Sequence, residues 1–277
     1  MLELEHGFRI VDVYTQLPPA DDPGVDTITP DQLEREMHQA GITKAVVFPP
    51  ARPATSYVAP NNGVARHSVD RPFVAFARIN GSRGPDTGPT DRLRTAVRQR
   101  VGSQPSTRRG GHHSTPEDIE RYAYDDRFHG FVLDPGVDGY PDPDVLAVLD
   151  DVGLPVLVHG GVDAPPETLA NRLLGYSFPV VVAHFGGHPL DRSLMAETID
   201  LLSEYDDCYV ETSVVRYRRE LERALLEHPD RVLFGSATPA AHPNVAVMEI
   251  LTLDVSEDKL WRVFSKNACR VIDALAP

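Results

Sequence analysis

Short apolar runs alternate with amphipathic segments along most of the chain. Several runs, such as PVLV at residues 155–158 and PVVVA at residues 179–183, contain no polar position. Such runs are typical of parallel strands that are buried on both faces. The pattern predicts eight strands, at Arg9–Val13, Ala45–Phe48, Phe73–Ile79, Gly130–Leu133, Pro155–Val158, Val180–Ala183, Cys208–Glu211 and Val232–Phe234.

Segments with helical spacing lie between these strands, and several follow a Pro that suits a first helical turn. The predicted helices are Asp31–Ala40, Val145–Val152, Glu167–Leu174, Pro189–Tyr205, Arg218–Glu227, Pro243–Leu253 and Ser256–Leu275. Repeated strand–helix units without a Gly/Ser linker predict that residues 1–277 form a single (β/α)8 TIM barrel, a fold of about 250 residues. A doubly wound open sheet is the alternative.

One connection breaks this alternation, between the third and fourth strands. Residues 81–127 form a long insertion rich in Gly, Ser, Thr and Pro. Within it, residues 83–113 carry seven Arg and two Asp, a local net charge of +5. One interpretation is a flexible basic lid that attracts an anionic substrate to the barrel mouth. The other is a solvated insertion without that role.

The overall charge is opposite to that of the insertion. The chain has 41 Asp and Glu against 27 Lys and Arg, a formal net charge of −14, which disfavours nucleic-acid binding. Only three of the basic residues are Lys, and this acidic, Lys-poor composition predicts a halophilic source, where salt screens the self-repulsion. The sequence has no signal-peptide pattern and no 18-residue apolar stretch, so we expect a cytoplasmic protein without a membrane segment.

Reactive groups in a parallel barrel follow the C-terminal ends of the strands. Polar side chains stand at many of the predicted ends, namely Tyr14, Gln16, Arg52, Arg78, Asp134, His159, His184, Glu211, Arg216 and Thr238. His159 and His184 follow successive strands and are the first candidates for acid/base roles. Arg52, Arg78 and Arg216 are candidates for binding a substrate carboxylate, because guanidinium groups pair with carboxylates bidentately.

Five short strings resemble motifs of the amidohydrolase superfamily. They are DVYTQ, VLVHGG, HFGGH, GSATP and NACR, at residues 12–16, 156–161, 184–188, 235–239 and 267–270. The resemblance is greatest to the decarboxylase-type branch, which includes aminocarboxymuconate semialdehyde decarboxylase, aromatic-acid decarboxylases and lactonases. It implies a TIM barrel, a hydrolase or carbon–carbon lyase acting on a small carboxylate, lactone or ester, and a homodimer.

The same comparison implies a degenerate metal site. Tyr14 and Gln16 stand where the family has paired first-strand His, and Ala237 stands where it has an eighth-strand Asp. That Asp is also the family's general base. Only His159 and His184 match, whereas a catalytic zinc takes about three protein ligands and an open position. Tyr14, Gln16 and Thr238 thus become candidates for substrate binding.

Three functions stay open. The first is an enzyme in which His159 and His184 act as acid and base, with Asp134 or Glu211 as base or orienting group. The second is a non-catalytic relative that acts as a binding or partner subunit. The third is a metal hydrolase whose centre has moved to His159, His184 and Asp134. The expected cofactor is therefore none or one divalent metal, zinc first, and the expected partner is a small anionic substrate.

Overall fold

Eight parallel strands form one sheet, in sequential order, in the computed structural model, which describes residues 6–18, 28–52, 56–81 and 113–277. The strands are β1 (Ile10–Gln16), β2 (Ile42–Phe48), β3 (Phe73–Arg78), β4 (Phe128–Leu133), β5 (Val156–Gly161), β6 (Val180–His188), β7 (Cys208–Glu211) and β8 (Val232–Leu233). The ring closes because the Val13 amide donates to the Phe234 carbonyl at 2.9 Å and Gln16 to Thr238 at 2.8 Å. The predicted (β/α)8 barrel is confirmed.

Helices form the outer layer around the strands. They are α1 (Pro30–Gln39), α2 (Val58–Ser68), α3 (Pro116–Ala123), α4 (Pro135–Asp138), α5 (Pro143–Val152), α6 (Pro166–Arg172), α7 (Arg192–Leu201), α8 (Arg218–Glu227), α9 (Pro243–Leu251), α10 (Glu257–Trp261) and α11 (Asn267–Val271). Helix α1 begins at Pro30, one residue before the predicted start, because Thr29 and Gln32 form a reciprocal capping box. No helix within the described ranges is long and apolar enough to cross a membrane.

Some boundaries differ from the prediction. Strand β6 continues to His188 instead of ending at Ala183. The last predicted helix, Ser256–Leu275, is divided by the π-helical turn Arg262–Lys266 and ends in the 3₁₀ turn Asp273–Leu275. Helix α2 was not predicted, because Pro and Gly residues such as those it contains are typical of loops.

The barrel interior is filled by side chains. Every residue of β3 is buried, and an inner cluster packs the centre with Val11, Val46, Phe76, Val132, Leu157, Val181 and Leu233, among others. A second, larger cluster lies between the strands and the helices. Because the centre is packed, the polar groups of a site lie at the carboxyl ends of the strands.

The end of the predicted insertion belongs to this outer layer. Residues 82–112, with the seven Arg of the lid interpretation, lie outside the described residues, so the lid stays a prediction. The described chain resumes at His113, whose Nδ1 is 2.8 Å from the Gly81 carbonyl oxygen. Helix α3 follows and buries Ile119 and Tyr122. Residues 116–123 are thus packed structure, and only the segment before them remains a lid candidate.

Candidate active site

Three imidazole rings meet at the carboxyl ends of β5 and β6. The ring centroids of His159 and His184 are 4.6 Å apart, so these two candidates are brought together as the sequence suggested. His188 joins them, at 4.5 Å from His159 and 5.3 Å from His184. His188 was not among the residues predicted for the site, although it closes the HFGGH string.

His159 faces a carboxylate. Its Nδ1 lies 3.5 Å from Oδ2 of Asp134, which follows β4. Asp134 is held in place as the N-cap of α4, since Oδ1 accepts from the amides of Gly136 and Val137 at 3.1 and 3.3 Å. A cavity of about 180 Å³ is lined by Asp134, His159 and His188. The predicted convergence of Asp134 and His159 is therefore present and opens to a cavity.

Burial shifts the pKa values of His159 and Asp134. It lowers the pKa of His159 to about 2, with the neighbouring His184 acting in the same direction. Burial also raises the pKa of Asp134, and the positive charge of Arg78 opposes that rise. His159 is consequently neutral near pH 7 and has a ring nitrogen that can accept a proton.

A continuous hydrogen-bond chain fixes the second His. Nδ1 of His184 lies 2.6 Å from Oγ of Ser213, and that hydroxyl donates to Oε1 of Glu211 at 2.6 Å. Because the hydroxyl proton is used for Glu211, we assign the imidazole proton to Nδ1 of His184. His184 then keeps Nε2 as its proton-accepting atom. Burial lowers the pKa of His184 to about 4, so this ring is also neutral.

Glu211 fixes the positions of His184 and Ser213 through hydrogen bonds. It is fully buried and also accepts from the amides of His184 and Ser213, each at 2.7 Å. Its oxygens are therefore directed at its own neighbours, which makes Glu211 a positioning residue in this geometry. Its predicted role as a base stays untested.

We expect Glu211→Gln to lower the free energy of unfolding by about 1–3 kcal/mol near pH 5, because an amide N–H must then face a buried N–H donor. Burial raises the pKa of Glu211 from 4.5 to about 7. A raised folded-state pKa means that the carboxyl's contribution to stability is complete below pH 4.5 and is lost as the pH rises through 7.

The difference in unfolding free energy between wild type and Glu211→Gln should therefore shrink from about pH 5 to about pH 8 in urea titrations. Glu227→Gln, on the exposed side of α8, is the control and should stay within about 0.5 kcal/mol of wild type. A difference that grows with pH would contradict the positioning role.

Several residues near the site have strained backbone. His184, Phe185, Val214 and Ala237 have φ of 58°, 51°, 59° and 63°, although none is Gly. Such conformations are uncommon for residues with a side chain and persist where the surroundings determine them. They follow β7 and β8 or lie within the last part of β6. The backbone at the strand ends around the histidines is thus held in uncommon conformations by its surroundings.

The residues at the family's metal positions do not fit a metal ion. The ring of Tyr14 fills this space, 5.1 Å from Phe48 and 4.8 Å from His184 between centroids, and Gln16 lies beside its hydroxyl at 3.4 Å. Ala237 has no donor atom. Residues 6–18, 28–52, 56–81 and 113–277 contain no group of three His, Cys, Asp or Glu placed to hold a metal. The centre expected on His159, His184 and Asp134 is thus not formed in these ranges.

The three predicted carboxylate-binding arginines are not one cluster. Arg78 is buried, with Nη1 3.5 Å from Oδ2 of Asp138 and Nε donating to the Pro49 carbonyl at 2.7 Å. Arg52 is half-buried, and its carbonyl accepts from the Tyr57 hydroxyl at 3.1 Å. Arg216 pairs with Glu249. Arg78 influences the histidine site, because its charge opposes the rise in the pKa of Asp134.

Thr238 helps to close the barrel between β1 and the segment after β8. Its Oγ1 is 2.7 Å from Oγ of Ser236, and its carbonyl accepts the Gln16 amide that closes the barrel. Asp12 supports the same joint, since Oδ1 accepts from the amides of Tyr14 and Ser236 at 3.0 Å each. Burial raises the pKa of Asp12 to about 6. Asp12 begins the DVYTQ string but was not predicted to support this joint, because that role depends on β8, which is remote in sequence.

Comparison with known proteins identifies the family of the chain. The amidohydrolase family model matches residues 11–273. No curated protein matches the chain. Among solved structures, 2,6-dihydroxybenzoate decarboxylase from Rhizobium is 14% identical, with a TM-score of 0.64 over 95% of this chain and 98% of that chain.

Two further structures are similar. One is 5-carboxyvanillate decarboxylase from Novosphingobium aromaticivorans in complex with manganese and 4-hydroxy-3-methoxy-5-nitrobenzoic acid, 13% identical, TM-score 0.61, covering 96% of each chain. The other is a probable 2-pyrone-4,6-dicarboxylic acid hydrolase from Acinetobacter baumannii with citric acid bound, 14% identical, TM-score 0.59, covering 95% of this chain and 99% of that chain. At identities this low, the structural similarity establishes a shared fold and nothing further.

Proposed function

The chain belongs to the amidohydrolase family, and from this premise we propose that it hydrolyses an ester or lactone bond in a small carboxylic acid without a metal ion. The observation that carries the proposal is the contact of His159 with Asp134 at the wall of a cavity. A neutral imidazole held by a carboxylate is the arrangement that general-base activation of water requires.

His159 is the catalytic base of this reaction. Its free ring nitrogen removes a proton from water, and the water oxygen adds to the carbonyl carbon of the substrate. The bond from that carbon to the leaving oxygen then breaks, and the leaving oxygen takes up a proton. Asp134 is a positioning residue, because its carboxylate faces the ring at 3.5 Å and stabilises the imidazolium that forms after proton transfer.

His184 provides the fixed neighbour of the base. With Nδ1–H committed to Ser213, its ring stays neutral and limits how the ring of His159 can turn. A neutral ring also avoids the repulsion that two imidazolium ions would create when His159 becomes protonated. We therefore assign His184 the role of keeping the ring of His159 in position. Its own Nε2 then stays available to the substrate.

Substrate anions are expected beside Arg78. A polar cavity of about 210 Å³ is lined by Arg78, Asn80, Ser114 and Arg121 and by neighbouring side chains. The lining contains more cationic than carboxylate groups, which favours a substrate that carries a carboxylate. Ligands with carboxylate groups in the similar structures support the same substrate class.

Hydrolysis, more than decarboxylation, suits the neutral state of His159 and His184. Loss of CO₂ leaves a carbanion, which an acid must protonate. Burial keeps His159 and His184 neutral near pH 7, so each has an unprotonated ring nitrogen and neither of these two rings carries the proton that a carbanion would need. Decarboxylation of the dihydroxybenzoate type is the alternative that a product analysis would detect.

Removing metal ions tests the proposal. Protein treated with dipicolinate and dialysed should keep at least about half of its rate on mono-4-nitrophenyl succinate, because no step uses a metal-activated water. Activity lost on chelation and restored by Mn²⁺ or Zn²⁺ would overturn it. Stabilisation by succinate without turnover of any ester, lactone or aromatic acid would favour a binding protein instead.

A further inference from the structure

His188 lies in the same cavity as the proposed base and is the most exposed of the three rings. It lines the 180 Å³ cavity with Asp134 and His159, and it belongs to the exposed residues, whereas 23% of the His159 side chain is exposed. An exposed imidazole can exchange protons with bulk water. His188 therefore differs from its neighbours in its access to solvent, although it faces the same volume.

The backbone holds His188 in this position. Gly161 of β5 pairs with His188 of β6, and the Val162 amide donates to the His188 carbonyl at 3.0 Å. A Cβ on Gly161 would overlap that carbonyl oxygen, and one on Gly160 would lie only 2.8 Å from the Gly186 backbone. The two strands can approach this closely because both positions are Gly, and this approach places the His188 ring over His159.

Ester hydrolysis needs two proton transfers at neighbouring oxygens. The attacking water loses a proton, and the leaving oxygen gains one. Both oxygens are attached to the same tetrahedral carbon, so the two groups that serve them must also be neighbours. The ring centroids of His159 and His188 are 4.5 Å apart and nearly perpendicular, at 85°. This geometry allows each ring to face a different oxygen of one reacting group.

We propose that His188 is the catalytic acid that protonates the leaving oxygen, an inference that rests on the proposed hydrolysis. When the carbon–oxygen bond breaks, its electron pair stays on the leaving oxygen, and the proton from His188 neutralises that oxygen. His188 then regains its proton either from His159, which passes on the proton that it took from water, or from solvent, in which case His159 releases that proton to solvent. Each turnover consumes one water and returns both rings to their starting state.

Two esters of one acid separate this role from a structural one. Mono-4-nitrophenyl succinate has a leaving group that departs as an anion and needs no proton, whereas monoethyl succinate releases an alkoxide that does. His188→Gln should lower kcat/KM for the ethyl ester by about 10²-fold or more and for the nitrophenyl ester by less than about threefold. His67→Gln, at an exposed position on α2, is the control and should change neither value.

Each result has a separate meaning. If wild type hydrolyses both esters and His188→Gln loses the same factor on each, the acid role is excluded and the proposed hydrolysis stands. If wild type hydrolyses neither ester above the buffer rate, the hydrolysis itself fails, and with it this inference. Gly161→Ala provides a second variant that keeps the ring and shifts its backbone; the ethyl ester should again be the more affected substrate.

Discussion

Replacing His159 by Gln is expected to lower the hydrolytic kcat by about 10²- to 10⁴-fold, the range that a positioned general base contributes. Gln can still hydrogen-bond, but it cannot take a proton from water. The ring lies at a cavity wall and is 23% exposed, so its loss should leave the free energy of unfolding within about 1 kcal/mol of wild type. Stopped assays on mono-4-nitrophenyl succinate and urea unfolding measure the two quantities.

Two variants provide the comparison. Asp134→Asn should retain more activity than His159→Gln, because the base remains and only its orientation and the stabilisation of its charge are weakened. His184→Gln should lose stability as well as activity, since this ring is 4% exposed and bonded to Ser213. A folded His159→Gln protein with wild-type kcat would show that the base lies elsewhere.

The fold could be predicted almost completely from the apolar pattern. Runs without a polar position mark strands buried on both faces, and this signal needs no knowledge of distant contacts. The motif resemblance is also confirmed, since the family model extends over residues 11–273. The prediction failed where local and tertiary signals diverge, as in β6, which continues through His184, Phe185 and Gly186 despite positive φ angles.

The site was only partly predictable for the same physical reason. Position after a strand identified Asp134, His159 and His184, because all strand ends of a parallel barrel meet at one face. His188 was missed because its place depends on the close approach of two Gly-containing strands. The predicted substrate role of Arg216 stays untested. It follows a strand too, but its partner Glu249 lies on α9, which the local sequence cannot reveal.

The replaced metal positions now have a physical interpretation. In this chain, Tyr14 fills the space at the first strand with an apolar ring that packs on Phe48 and His184, and Ala237 leaves no carboxylate opposite it. The polar groups that remain are displaced toward β4, β5 and β6. In the proposed reaction, Asp134 and His159, 3.5 Å apart after β4 and β5, act as the acid/base pair in place of a metal ion.

Arg78→Met should be the most destabilising single change near the site, with a loss of about 3–5 kcal/mol in the free energy of unfolding. The side chains of Arg78 and Asp138 are only 2% and 1% exposed, so removing the cation leaves a buried carboxylate without its counter-charge. Met keeps most of the volume next to Phe48 and Tyr57, above which the guanidinium lies at 5.6 and 5.7 Å. The loss therefore reports charge and not packing.

The double variant Arg78→Met/Asp138→Asn isolates this effect. It should recover about 2 kcal/mol or more of the loss, because the amide introduced at position 138 would keep a hydrogen bond to Tyr57 and carry no charge. Burial raises the pKa of Asp138 from 3.8 to about 6, so the penalty of Arg78→Met should be smaller at about pH 5, where the carboxyl is mostly protonated, than at about pH 8. Equal losses in the single and double variants at both pH values would instead assign the stability of this region to the bond between Arg78 and the Pro49 carbonyl.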